Sequence, residues 1–241
     1  MKKNYEMDMC SGPILGKLLT FTIPLIFSGI LQLLFNAADV IVVGRFAGSQ
    51  SLAAVGSTTA LINLMINIFI GLSVGVNVIV ARYYGAKREK DVQDTIHTAM
   101  ALSIVSGLFL IVVGQLLSRP MLELMGTPDD VIDKSTIYMR IIFIGMPANM
   151  IYNFGSAILR AVGDTKRPLY FLTAAGVINV VLNLFFVIMF RMDVAGVALA
   201  TAISQAISAC LVILCLLESE GGLKLHLKAL KIHRSKFRQI I

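Results

Sequence analysis

Six apolar runs, each at or above the roughly 20 residues that one helical crossing of a bilayer needs, set the terms for anything this chain can fold into. They are Leu18 to Gly44, Leu52 to Ala81, Ile96 to Leu117, Ile137 to Leu159, Leu169 to Phe190 and Val194 to Leu217. Lipid offers the backbone no water, so each run must close its own hydrogen bonds as a helix. Composition agrees: 57% of the 241 residues are hydrophobic and only 15% charged, with mean hydropathy +0.82, whereas about a quarter of a soluble domain is charged. The expected fold is an all-α integral membrane protein, a six-transmembrane-helix bundle over residues 18–217, preceded by a polar N-terminus over 1–17 and followed by a basic tail over 218–241.

Charge orients the bundle. Six crossings put both ends of the chain on one side, and with the N-terminus inside, sixteen Lys and Arg fall on the inner segments. Arg45, Arg119, Lys134, Arg140 and Arg191 are left for the outer side. The positive-inside rule then predicts a multi-pass cell-membrane protein with both termini cytoplasmic and membrane lipid as a partner. The net charge of +7 does not point to nucleic acid, because no basic face with interleaved aromatics stands on a soluble module. The first residues are polar and the run after them is too long for a signal peptide, so the first run is expected to remain as a span. Cys10, Cys210 and Cys215 form no CxxC pair and read as small packing residues.

Asp39 is the anomaly of the first run. A charged side chain at membrane depth costs roughly 2.5–3.5 kcal/mol on insertion scales, so it faces protein or a wet cavity. Asn36, Gln32, Gly29 and Ser28 precede it at helical steps, placing the polar groups on one stripe. The second run carries Gly56, Ala60, Asn63, Asn67, Gly71 and Gly75 at steps of about four, where small residues let helices approach and the amides ask for partners. Gly145 and Pro147 predict a bend in the fourth run, with Asn149, Asn153 and Ser156 turned inward. Thr173, Gly176, Asn179 and Asn183 edge the fifth run, and Thr201, Ser204, Gln205 and Ser208 the sixth.

Elsewhere the sequence is plainer. The third run, with few polar residues, is expected at the lipid-facing periphery. Ser118 to Ser135 reads as an outer loop with a short interfacial helix ending near Gly126 and solvated acids Glu123, Asp129, Asp130 and Asp133. In the tail, Leu227, Leu230, Phe237 and Ile241 approximate one face of an amphipathic helix on the inner leaflet, with a flexible linker as the other reading. No HExxH, no serine–histidine pairing and no GxxxxGK[ST] is present. His97, His226 and His233 are not placed to act as ligands or bases. The chain is therefore read as no enzyme, with no cofactor, and any energy coupling must draw on an ion gradient. Asn and Thr oxygens with a carboxylate suit a hard cation such as sodium, and the same carboxylate can instead take a proton.

The segments PLIFSGILQLLFNAADVIVVGRFAG, VARYYGAKREKDV, SAILRAVGDTKRPLYF, INVVLNLFF and VAGVALATAISQ resemble the multidrug and toxic compound extrusion (MATE) family. The resemblance implies one lobe of a twelve-helix, two-lobed transporter, a secondary antiporter exporting lipophilic organic cations and other amphipathic compounds in exchange for sodium or protons. It maps the N-lobe cation site onto Asp39, Asn179, Asn183 and Thr201. Some relatives carry an acid where Asn183 stands, so here Asp39 is the one clear charge. Gln32, Asn36, Asn63, Asn67, Pro147, Asn149 and Asn153 are read as cavity or gating residues. Because the resemblance covers only a first lobe, the expectation is a fragment or truncated product lacking its C-terminal lobe, or a half-transporter pairing with a second copy. Two rivals are a lipid-precursor flippase of the same superfamily, which should carry basic residues inside its cavity, and a non-transporting membrane subunit.

Overall fold

The structure, a computed structural model, describes residues 14–240. Cys10 and Ile241 lie outside the described residues, as does most of the expected N-terminal segment. Among the described residues there is no strand. The six crossings are α1 (Ile14–Val42), α2 (Ser49–Gly85), α3 (Glu89–Leu124), the pair α4 (Asp129–Ile144) and α5 (Met146–Ala161), α6 (Lys166–Leu184) and α7 (Asp193–Glu218), with a short α8 (Arg234–Ile240) in the tail. α2, at 37 residues, is about 55 Å long at 1.5 Å per residue, so it outreaches a hydrocarbon layer of about 30 Å.

The fourth run breaks where its sequence predicts. α4 and α5 meet at an angle of 47°, with Gly145 at the joint and Pro147 in the first turn of α5. Proline has no N–H to return to Phe143, so the ladder opens there. α5 then sits in the middle of the bundle, packed against α2, α3 and α7, and buries Phe154, Ile158 and Leu159 completely or nearly so.

Three expectations are corrected. First, α3 is more than a lipid-facing helix: one face is exposed through Leu108, Phe109 and Val112, as expected of the periphery, but the other buries Ala99, Ser103, Ser106, Leu110 and Ser118. Gly107 lies against the backbone of Pro147 and Gly114 against the ring of Phe143, and this close approach by small residues makes α3 a packing helix. Second, the expected outer loop is mostly helix. α3 continues through Pro120 to Leu124 and turns at Gly126, whose φ is +69°. Arg119 ties its last turn to Glu123 at 2.9 Å and to Asp133 of α4 at 3.1 Å, so these exposed acids are solvated yet paired.

Third, the tail is not one amphipathic helix. Residues 221–223 and 227–229 form single 3-10 turns before α8, and Leu227 is exposed. The buried apolar residues are Leu223, Leu225 and Ile240, laid against the ends of α2 and α3. Lys236 Nζ sits 2.5 Å from Asp91 Oδ1 and 3.9 Å from the centre of the Tyr83 ring. Burial works against that ammonium, but Asp91 and Tyr83 outweigh it and hold its pKa above the ordinary lysine value.

At the opposite end of the bundle Lys134 of α4 donates to Ser51 of α2 and to Asp193 of α7, both at 3.1 Å. Three helices are thus pinned there by one side chain.

Candidate functional site

The polar stripes converge. A cavity of about 460 Å³ opens between α1, α2, the α4–α5 bend, α6 and α7. Gln32, Asn36 and Asp39 of α1 line it, as do Asn63 and Asn67 of α2, Asn149 and Asn153 of α5, Asn179 of α6 and Thr201 of α7. Helical spacing explains the assembly, since each set recurs at three or four residues and therefore shares one face. Among the described residues that line it there is no Lys, Arg or His. Pro147 is different: it packs on Gly107 of α3 and does not line the cavity. Asn183 is fully buried behind the wall.

Asp39 meets that buried amide. Asn183 Nδ2 donates to Asp39 Oδ1 and, at 3.2 Å, to Asn179 Oδ1. Asn179 Nδ2 in turn donates to Thr201 Oγ1 at 3.3 Å, and the Thr201 hydroxyl donates to the Val197 carbonyl at 3.0 Å. Three helices therefore share one hydrogen-bonded chain ending on a carboxylate. With its N–H groups spent on Asp39 and Asn179, Asn183 keeps its Oδ1 buried and without a partner among the described residues. A buried carbonyl left in that condition forgoes free energy of about 1–3 kcal/mol, and it belongs to the same amide that donates to the Asp39 carboxyl.

Two features of the site have no counterpart in the sequence reading. Immediately past Asp39 and Asn183, α1 and α6 each widen into a π turn, Val43–Ala47 and Phe185–Met189, and these turns touch. Such insertions cluster at functional sites because they rotate the residues on either side relative to a regular helix. Tyr138 of α4 was the other omission: it is buried, lines the cavity and lies in the electrostatic reach of Asp39. The step from Tyr138 through Ile142, Gly145 and Asn149, all lining residues, carries the signal that finds it.

A family model described as MatE matches residues 24–185, well over half of the chain. The chain belongs to the MATE family. Among its relatives, the probable multidrug resistance protein YoeA of Bacillus subtilis (strain 168) is 35% identical over 188 residues, covering 76% of this chain and 41% of that protein. The multidrug export protein MepA of Staphylococcus aureus (strain NCTC 8325 / PS 47) is 19% identical over 229 residues, covering 95% and 51%. A solved structure described as the outward-facing conformation of a multidrug resistance MATE family transporter of the MOP superfamily has the same fold. Its TM-score is 0.86 at 24% identity, over 93% of this chain and 50% of that one. The chain thus spans about half the length of the curated relatives it matches. Its six-helix bundle is one lobe, the N-terminal one, of the two-lobed MATE architecture, and it is a multi-pass membrane protein.

Proposed function

We propose that this MATE lobe works in a secondary antiporter that exports amphipathic compounds, lipophilic cations among them, in exchange for sodium or protons bound at Asp39. The observation that carries the reading is the buried Asn183 side chain, whose amide N–H groups join Asp39 to the Asn179–Thr201 pair while its Oδ1 is left unpartnered. A sodium ion held there would draw on the Asp39 carboxylate, the Asn183 and Asn179 carbonyl oxygens and the Thr201 hydroxyl, a set of hard oxygens suited to a hard cation. A proton would go to Asp39 alone.

Either cation cancels the Asp39 charge, and that alters the cost of burying α1 against α6. α1 packs chiefly on α6 and its own π turn, so it is the helix with least to lose by shifting. A bound cation then biases two packings that differ by a few kcal/mol. The cargo would occupy the cavity, of which this lobe supplies one wall. The absence of lining cations among the described residues speaks against the flippase alternative, whose lipid phosphates need basic partners. Basic residues crowd the facing ends of α2 and α3 (Arg82, Lys87, Arg88, Lys90), those of α5 and α6 (Arg160, Lys166, Arg167) and the tail after α7, which by the positive-inside rule puts that end and both termini in the cytoplasm.

Efflux of a fluorescent lipophilic cation from cells making the transporter, under an imposed sodium or proton gradient, tests the reading. Asp39→Asn is expected to abolish gradient-driven export, and export that persists undiminished and still follows the gradient overturns it. The gradient that drives the wild type names the coupling ion.

A further inference from the structure

The three histidines, His97, His226 and His233, stand far apart in sequence, yet they meet where the tail crosses the start of α3. The ring of His97 is buried. Its Nδ1 lies 2.8 Å from the Gln93 carbonyl oxygen, one turn back in its own helix. A carbonyl only accepts, so Nδ1 carries the hydrogen and Nε2 keeps its lone pair. That lone pair receives the backbone N–H of His226 at 3.1 Å. The imidazole of His226 stacks over that of His97, with centroids 6.1 Å apart and planes within 20°. Next along, the His233 backbone N–H donates to Thr98 Oγ1 at 3.2 Å.

We propose that the segment after α7 is a strap across the inner ends of α2 and α3, latched at its middle by the neutral ring of His97 and released from that latch by acid. The inference does not depend on which ion couples transport or on what is carried. The two contacts of His97 admit one protonation state. A second proton on Nε2 would point at the N–H of His226, donor against donor, and would set an imidazolium beneath the His226 ring. The groups with an electrostatic hold on His97 are Asp94 on its own helix and His226 and His233 on the tail, so one carboxylate faces two further titratable rings. Protonation and attachment exclude each other. By linkage, acid favours the released strap and neutral to basic pH the attached one.

A second anchor stays in place through that change. Lys236 holds Asp91, Tyr83 donates to Gln239 Oε1 at 2.7 Å, and the carbonyl of Ile240 lies against Gly75 of α2. None of these groups changes charge in the range where histidine does. Gly75 follows Ile70, the last residue of α2 to line the cavity, by little more than a helical turn. The strap therefore fastens α2 just inside the cavity, and loosening its first anchor frees residues 225–233 while Lys236 still holds α3 at Asp91.

Hydrogen exchange on the chain in lipid nanodiscs, corrected for intrinsic exchange rates, reads the latch. At about pH 8 the amides of residues 225–233 are expected to exchange about tenfold or more slowly than at about pH 5.5, while 234–240 stay protected at both. His97→Gln keeps an acceptor that cannot bind a proton, and it is expected to keep the strap protected at both pH values. Equal wild-type protection at both, a His97→Gln strap that still loosens in acid, or loss of protection spread over α3 and α8 alike each overturns the proposal. Should His97→Gln fail to fold, nitrogen chemical shifts of the wild-type imidazoles decide. A His97 that carries its hydrogen on Nε2 at pH 8, or that becomes doubly protonated while the strap stays protected, overturns it as well.

Discussion

α1 and α3 are equally greasy and are used in opposite ways. Their most apolar stretches have mean hydropathies of 2.1 and 2.3. Yet only 6% of that stretch is buried in α1, against 39% in α3. α1 carries the carboxylate and the amides, lines the cavity along one face and leaves Ile23, Ile26, Phe27 and Ile30 exposed on others. α3 lines none of the cavity and is locked to α2, α4 and α5. Inside a membrane, where lipid tails are as apolar as leucine, hydrophobicity does not pull helices together. Close backbone approach and complementary shape do, and α3 has the small residues for both.

The largest effect expected from this contrast is at Gly114. Its α-carbon faces the Phe143 ring, which α4 buries completely, so no side chain fits without moving a helix. Gly114→Leu is expected to cost on the order of 3 kcal/mol and to strip the folded fraction from detergent-solubilised protein, read by size-exclusion profile and thermal melt. Gly16 and Gly29 of α1 have open space where a side chain would go. Should Gly114→Leu melt where the wild type does, α3 is not the rigid member of the pair.

A smaller change, confined to the site, is expected at Asn183. Asn183→Leu removes the amide donor to Asp39 and the orphaned oxygen together, at a cost of about 1–3 kcal/mol for the carboxylate it leaves without that partner. The melt should fall by a few degrees, and any rise in melting temperature that sodium gives the wild type should vanish. A sodium-dependent shift of unchanged size in Asn183→Leu would remove this amide from the cation site and leave Asp39 to the proton alone.

Much of the architecture was legible because lipid is a strict solvent: six apolar runs had to be six crossings, and Gly145 with Pro147 had to bend one of them. The converging amides were legible too, through helical spacing. α3 was misread because polarity was taken as the measure of burial, whereas Ala99, Ser103, Ser106, Gly107, Leu110, Gly114 and Ser118 form a packing face of mostly small residues at steps of three and four. The tail was misread because Leu227 and Leu230 suggested a helical period, while Gly221, at φ +61°, and the hold of His97 on the His226 backbone break it into turns. The π turns after Asp39 and Asn183 leave no mark in residue type, since a single inserted residue costs a helix little and asks for no particular side chain.

The smallest expected effect separates the two helices most directly. Ile26 of α1 is 55% exposed and Leu110 of α3 is 1% exposed, and each is cut to alanine in turn. In water both losses would register, because an exposed and a buried side chain differ by a transfer from solvent. In a bilayer the separated but inserted helix keeps its side chains in lipid, so trimming Ile26 changes the bundle and its reference state alike. Ile26→Ala should leave the melt in lipid nanodiscs within the roughly 0.5 kcal/mol scatter of surface substitutions. Leu110→Ala, which empties packed space against neighbouring helices, should cost about 2 kcal/mol or more. Equal losses at the two positions would mean that α1 is packed along a face this lobe leaves bare, and the contrast between the helices would then belong to the lobe by itself and not to the assembled transporter.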